Sequence, residues 1–133
     1  MTRHTRRNVV DSSVWLAYLA DESGAAHFSA AIEDVENLVV PSVCILEVFK
    51  VISRQRGDGD ALQAAALMQQ GLVLDLDATL ALVPAKAGTD HKLPLADSIV
   101  YATGLTVDGL VWTHDEDFEG FPDVRFFAKS KRA

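Results

Sequence analysis

The sequence predicts an α/β domain of three layers, with a central, mostly parallel sheet flanked by helices. Short apolar runs alternate along the chain with longer segments of helical periodicity, which is typical of such domains. No internal repeat and no linker rich in Pro, Gly or Ser interrupts this alternation. The length of 133 residues and a hydrophobic fraction of 49% suit one domain. We therefore expect a single domain over residues 1–133, with a basic arm at 1–7 and a basic tail at 129–133.

Five short apolar segments are predicted to form the strands. Each is bounded by polar residues or by residues typical of turns, as buried strands are. The first is followed by Asp11, the second is stopped by Pro41, and the fourth runs into His114 and Asp115. The predicted strands are Asn8–Val10, Leu38–Val40, Leu72–Leu76, Leu110–Thr113 and Val124–Phe126.

Helical periodicity and end signals place helices between these strands. Ser12 or Ser13 is predicted to cap a short first helix. Ser42 is predicted to cap a long helix that stops at Gly57. Pro94 is predicted to open the last helix, since proline is favoured in the first turn. The predicted helices cover residues 13–19, 25–35, 42–56, 61–70, 78–87 and 94–105.

The overall charge and the cysteine count narrow the classes of function. The net charge is −7, so the chain as a whole does not attract nucleic acid. The single cysteine, Cys44, excludes an intramolecular disulfide and a zinc site built from several cysteines. The apolar runs are shorter than the ~20 residues of a membrane span, and no apolar signal segment follows the basic N-terminus. We expect a cytoplasmic protein with no membrane partner.

Two acidic residues lie at strand ends where stability does not require them, and a third lies in an apolar helical segment. Asp11 and Asp115 follow predicted strands, at the sheet edge where ligands bind in parallel sheets, although an Asp turn or helix cap is the simpler alternative. Glu47 lies in a helical segment, residues 43–52, that is otherwise apolar apart from Lys50. Such a helix is largely buried, and glutamate is rarely buried unless it is paired or binds a metal. The alternative is a surface stripe that Glu47 shares with Lys50 and Arg54.

A fourth acid, Asp97, falls in the first turn of the helix that Pro94 opens. A carboxylate there is stabilised by the helix dipole, which would explain it without any function. Apolar neighbours on both sides indicate that Asp97 faces a polar pocket. Two negative charges 4 Å apart repel by about 4 kcal/mol at an effective dielectric near 20. If the four acids converge, a hard dication such as Mg²⁺ or Mn²⁺ would relieve this repulsion, and no His or Cys pairing supports zinc.

The motifs around these acids, in their order and spacing, resemble those of PIN-domain ribonucleases of the VapC toxin type. The resemblance covers the chain from Val9 to about Phe126. It rests on Val-Val-Asp11-Ser-Ser, Pro-Ser-x-x-x-x-Glu47, Leu-Pro-Leu-Ala-Asp97-Ser and Trp-Thr113-His-Asp115-Glu-Asp117-Phe. No motif is specific alone. Together they imply a PIN-like fold and a Mg²⁺-dependent endoribonuclease, with Mn²⁺ as a possible substitute.

The resemblance also implies roles for particular residues and partners. Asp11, Glu47, Asp97 and Asp115 would be the catalytic and metal-binding acids, supported by Ser12, Ser13, Thr113 and Asp117. The protein would be the toxin of a type II toxin–antitoxin pair, with RNA as substrate, a VapB-like antitoxin as partner and a homodimer as its assembly. From the residues alone, the candidates for RNA contact are Lys50, Arg54 and Arg56, with Lys86 and Lys92. Ordinary surface charge is the alternative for all five.

Other readings of the sequence remain open. A non-cleaving PIN-fold RNA-binding or scaffold protein is the main alternative. A phosphoaspartate phosphatase would need a second acid two residues after Asp11, where Ser13 stands, and a receiver domain would need a strand that ends in lysine. The first helix, from Trp15, and the long apolar helix are candidate dimer contacts, with the monomer core as the alternative. We assign no role to His27 and expect Trp112 to belong to the core or an interface.

Overall fold

A computed structural model of the chain describes residues 6–22, 26–83 and 93–129. Within these residues, five strands form one sheet in the order β3-β2-β1-β4-β5, and every neighbouring pair is parallel. The strands are β1 (Asn8–Val10), β2 (Leu38–Pro41), β3 (Leu72–Leu74), β4 (Leu110–Thr113) and β5 (Val124–Phe126). The helices are α1 (Ser12–Leu19), α2 (Ala26–Glu33), α3 (Ser42–Arg56), α4 (Asp58–Met68), α5 (residues 78–83) and α6 (Leu95–Val107). Short 3₁₀ turns cover Val35–Asn37 and Glu116–Phe118.

The predicted α/β class and the predicted strand positions are confirmed. The sheet is parallel throughout its described strands, and β3 is two residues shorter than expected. The predicted helix over 25–35 ends at Glu33. Gly57, with φ of 93°, separates α3 from α4, so α4 begins three residues earlier than expected. Beyond residue 83, the predicted fifth helix lies outside the described residues.

The predicted serine caps are wrong. The N-cap residues of α1 and α3 are Asp11 and Pro41, and neither makes a side-chain cap hydrogen bond. Ser12 and Ser13 lie in the first turn of α1, where their hydroxyls donate to carboxylates instead. A capping serine accepts from a backbone N–H, whereas Ser12 and Ser13 donate to carboxylates, and such charge-assisted hydrogen bonds are the stronger kind.

The strand order places three chain segments at one edge of the sheet. The chain runs outward from β1 to β2 and β3, and then returns to the other side of β1 with β4 and β5. Ligands bind in parallel sheets at the carboxyl edge, where such a reversal occurs. Asp11 directly follows β1, α3 directly follows β2, and Asp115 lies two residues after β4. The fold therefore brings the segments with the candidate acids together.

The core is made by the two central strands and the helices on either face. Val9, Val10, Val39 and Val40 are fully buried, as expected for central strands of a covered parallel sheet. Trp15 is also fully buried, and Val48 and Ile52 on α3 join the same core. These side chains of the two proposed dimer helices thus belong to the monomer core.

The described part of the basic arm is bound to the domain. Nη1 of Arg6 lies 3.1 Å from Oδ1 of Asp123, and its Nη2 donates to the carbonyl oxygen of Gly109 at 3.0 Å. These contacts lie at the amino edge of the sheet, opposite the candidate acids. The rest of the arm, the tail beyond Lys129, and the candidate RNA contacts Lys86 and Lys92 lie outside the described residues. Among the described helices, none combines the length and apolarity needed to cross a membrane.

Candidate metal centre

Asp11 stands at the centre of the candidate site and is only 4% exposed. Its Oδ2 accepts hydrogen bonds from Ser13 Oγ and Thr113 Oγ1, each at 2.9 Å. Burial raises the pKa of Asp11 above its ordinary value, the two hydroxyls oppose this rise, and the charge of Asp115 adds to it. The carboxylate is thus held in a fixed orientation in a place where its charge is costly.

The two hydroxyls are themselves oriented by the end of β4. Ser13 Oγ accepts from the backbone N–H of His114 at 3.2 Å, and Thr113 Oγ1 accepts from the backbone N–H of Asp115 at 2.9 Å. Each hydroxyl accepts one hydrogen bond from the backbone and donates one to Asp11. Residues 113–115 therefore position a carboxylate that lies about 100 positions earlier in the chain.

Glu47 reaches the site from the second turn of α3. Its Oε1 accepts from Ser12 Oγ at 3.1 Å. Burial raises the pKa of Glu47, as do the charges of Asp11 and Asp115, while Ser12 and Lys50 oppose the rise. Glu47 therefore faces the other acids, and Lys50 one turn later lies at the rim of the site.

A buried residue, Cys44, lies next to Asp11 and Glu47 and was not among the predicted site residues. One ligand atom from each of Asp11, Cys44 and Glu47 lies within 4.8 Å of the others. Burial first, and then the charges of Asp11 and Glu47, raise the pKa of the Cys44 thiol well above its ordinary value. A neutral thiol is a poor ligand for a hard cation, so the two carboxylates are the usable ligands of this group. The spacing could have indicated this, because Cys44 lies three residues before Glu47 and therefore on the same face of α3.

A second acidic group lies beside the first. One oxygen from each of Asp97, Asp115 and Asp117 lies within 4.8 Å of the others. Asp97 and Asp115 share a hydrogen bond between their carboxyl groups. The backbone N–H of Asp117 donates to Oδ1 of Asp115 at 2.9 Å, so the 3₁₀ turn orients this acid. Burial, that hydrogen bond and the charges of Asp115, Asp11 and Asp117 raise the pKa of Asp97 to about 8.

The two groups form one electrostatic unit that fits a hard divalent cation. The charge of Asp115 acts on both Asp11 and Glu47, and the charge of Asp11 acts on Asp97. A proton held between Asp97 and Asp115 relieves part of the repulsion, which is the effect that a bound cation would have. The usable ligand atoms are all carboxylate oxygens, the type that Mg²⁺ and Mn²⁺ prefer.

The structure brings together eight of the candidate site residues and leaves two cationic candidates apart. The eight are linked by the hydrogen bonds and charges described above; they are Asp11, Ser12, Ser13, Glu47, Asp97, Thr113, Asp115 and Asp117. Arg54 and Arg56 follow Glu47 by seven and nine residues, which is about 10 and 13 Å along a helix. Arg56 lines a groove between α1, α3 and α4 instead.

Comparison with known proteins identifies the fold family. A family model described as PIN domain matches residues 9–124. The chain belongs to the PIN domain family. The matched region spans all four candidate acids, from the second residue of β1 to the first of β5. A search of curated proteins gives no significant match for this PIN domain.

Solved structures similar to this PIN domain include several toxins. A toxin–antitoxin complex from Klebsiella pneumoniae matches with a TM-score of 0.75 and 17% identity, covering 92% of this chain and 99% of that one. DNA-bound VapBC from Salmonella typhimurium matches with a TM-score of 0.71 and 13% identity, covering 93% and 98%. Mycobacterium tuberculosis VapC20, a sarcin-ricin loop cleaving toxin, matches with a TM-score of 0.72 and 21% identity, covering 89% and 98%. At these identities the likeness is one of fold.

Proposed function

We propose that this PIN domain is a Mg²⁺-dependent endoribonuclease. The observation that carries the proposal is the convergence of four carboxylates at the carboxyl edge of the sheet, where burial and the neighbouring acids raise the pKa of Asp97 to about 8. Only a cation or a proton makes such a cluster favourable at neutral pH. A bound Mg²⁺ would activate water, orient the scissile phosphate and neutralise charge as the phosphodiester is hydrolysed.

Each acid has a distinct part in this proposal. Asp11 and Asp97 are the direct metal ligands, because Asp11 is fixed by two hydroxyls and Asp97 faces it. Glu47, held by Ser12, and Asp115 would hold a second ion or orient water at the site. The proton that Asp97 shares with Asp115 would have to leave for both to serve as ligands, so metal binding should release protons.

We further propose that the protein is the toxin of a type II toxin–antitoxin pair, with a VapB-like antitoxin. Support comes from the likeness of fold over nearly the whole length of known toxin chains. A homodimer is supported by two exposed leucines beside the candidate acids. Leu46 is 59% exposed next to Glu47, and Leu95 is 79% exposed two residues before Asp97. A large apolar side chain that is exposed to water is stabilised when a partner surface covers it.

The decisive experiment is cleavage of structured RNA by the purified chain with Mg²⁺, with Mn²⁺ and with a chelator. Asp11→Asn and Asp97→Asn should abolish metal-dependent cleavage. Asp75→Asn is the matched control, because Asp75 is exposed and also follows a strand of the sheet. A circular RNA substrate separates internal cleavage from exonuclease action. A folded protein that neither binds Mn²⁺ nor cleaves RNA would contradict the proposal and favour the scaffold alternative.

A further inference from the structure

Three aromatic rings lie nearly parallel to one another on the side of the sheet that carries α2. Trp112 is in β4, Phe127 directly follows β5, and His27 is in the first turn of α2. The ring centroids of Trp112 and Phe127 are 6.5 Å apart with planes at 9°, and those of Phe127 and His27 are 5.3 Å apart with planes at 12°. His27 is exposed, so this ring column ends at the surface on a histidine face.

The ring column is held in place by the core. Phe28, which is fully buried, meets Trp112 at 78° and Phe127 at 84° in edge contacts. Nε1 of Trp112 donates to Asn8 Oδ1 at 3.0 Å, and the backbone N–H of Phe127 donates to the Thr113 carbonyl oxygen at 3.0 Å. A surface that is already ordered loses little entropy when a ligand stacks on it.

The ring column is connected directly to the candidate acids through His114. Nδ1 of His114 donates to the Phe127 carbonyl oxygen at 2.8 Å, and its backbone N–H donates to Ser13 Oγ, which donates to Asp11. Phe127 follows β5 and Asp11 follows β1, with β4 between them, so the two backbones are about 10 Å apart across the sheet. Phe127 and Asp11 therefore lie at the same edge of the sheet, at a backbone separation comparable to the span of a nucleotide or two.

We propose that the ring column of His27, Phe127 and Trp112 is a stacking platform for an unpaired RNA base that flanks the scissile phosphate. The inference rests on the proposed function and deepens it by naming the form of the substrate. Stacking suits this chain because it needs no positive charge, whereas the net charge of −7 works against binding through phosphates. A base can continue the column only if it is splayed out of a helix, so the substrate is a loop or single-stranded segment.

Binding of RNA to the full-length chain with Asp11→Asn, which prevents cleavage, tests the platform. The probe is a short single-stranded RNA that carries 2-aminopurine, whose fluorescence falls when it stacks. We expect His27→Ala to weaken binding roughly tenfold and to relieve the quenching, because one stacked base contributes about that much. His27→Phe, which keeps a ring, should retain both signals. Ala30→Ser, at an exposed position on the same helix, is the matched control.

Steady-state cleavage in the chain with Asp11 intact separates the platform from the nuclease proposal. His27→Ala should raise KM about tenfold with little change in kcat, and Mn²⁺ affinity should stay as it is. Wild-type cleavage with unaltered KM in His27→Ala would overturn the platform and leave the nuclease intact. Quenching that depends on His27 in a chain that never cleaves would support the platform and overturn the nuclease. Equal binding of the same RNA as a duplex, or no binding at all, would overturn the platform.

Discussion

The two edges of the sheet hold acidic residues in opposite ways. At the amino edge, Arg6 lies 3.1 Å from Asp123 and 3.9 Å from Asp108, and also donates to two backbone carbonyls. These two acids share one cation from the chain itself, Arg6. Such exposed ion pairs add little to the free energy of unfolding. They do not require a bound ion to balance their charge.

At the carboxyl edge, acids are placed beside other acids. Hydroxyls of Ser13 and Thr113 orient Asp11, and a shared proton joins Asp97 to Asp115. Acidic residues at the amino edge are therefore neutralised within the chain, whereas those at the carboxyl edge carry negative charge that a bound cation could neutralise. On the proposed function, the carboxyl edge is completed by a divalent cation.

The largest expected effect comes from removing the central acid. Asp11→Asn should lower RNA cleavage by more than about 100-fold, because even the partners of metal ligands contribute 10–100-fold. Asp123→Asn removes an acid at the amino edge and should leave the rate essentially unchanged. Metal-dependent cleavage assays on both variants make the comparison. Equal losses in the two would contradict the distinction between the edges.

Removing a hydroxyl that orients Asp11 should weaken metal binding at the carboxyl edge, but by less than the loss of Asp11 itself. Thr113→Val keeps the shape of a fully buried side chain and deletes its hydrogen bond to Asp11. We expect Mn²⁺ affinity, measured by calorimetry, to fall about 10- to 100-fold. Thr103→Val is the control, because Thr103 is also fully buried but donates to Ile99 within α6. Similar losses in both variants would mean that packing and not orientation is responsible.

The shared proton predicts an unusual dependence of stability on pH. Folding raises the pKa of Asp97 from 3.8 to about 8, so the folded state binds this proton more tightly than the unfolded state. Its contribution to stability is present below about pH 4 and is lost as the pH rises through about 8. Urea unfolding of the metal-free chain should show this decline, and Asp97→Asn should flatten it. Saturating Mn²⁺ should restore stability at high pH, and a metal-free profile without the decline would refute the shared proton.

The smallest effect is expected at the amino edge. Arg6→Gln removes a partly exposed ion pair and should lower the free energy of unfolding by ~1 kcal/mol or less. RNA cleavage should not change. Thermal unfolding at low and high salt measures the effect, since screening weakens exposed pairs. A large loss of cleavage would show that the two edges are coupled.

The sequence predicted the positions of the strands and of the four acids because those features are local. Each acid lies next to a strand end or within a helix whose apolar pattern is clear, and Gly57 marked the end of α3. The sequence alone could not predict which distant residue each polar side chain would contact through a hydrogen bond or an ion pair. Ser12 was one of two predicted caps of α1, but its hydroxyl donates a hydrogen bond to Glu47, 35 residues later. Arg6 was assigned to a basic arm with no predicted partner, but it pairs with Asp123.

The hydrogen-bonded proton between Asp97 and Asp115 could not be predicted from the sequence either. It depends on the burial of Asp97 and on the approach of Asp115 in space, neither of which has a sequence signature. The aromatic ring column is a further case, because His27, Trp112 and Phe127 come from three separate segments.

The long separation between Asp11 and Thr113 also sets when this site can form during synthesis. A chain that has left the ribosome only as far as α4 contains Asp11 and Glu47, but lacks Asp97, the Thr113 hydroxyl and Asp115. Until β4 arrives, β1 has no neighbour on one side. The acids therefore assemble only after β4 has been synthesised and has paired with β1, about 100 residues after Asp11. On the proposed function, a nascent chain that ends before β4 has no complete site with which to act on RNA.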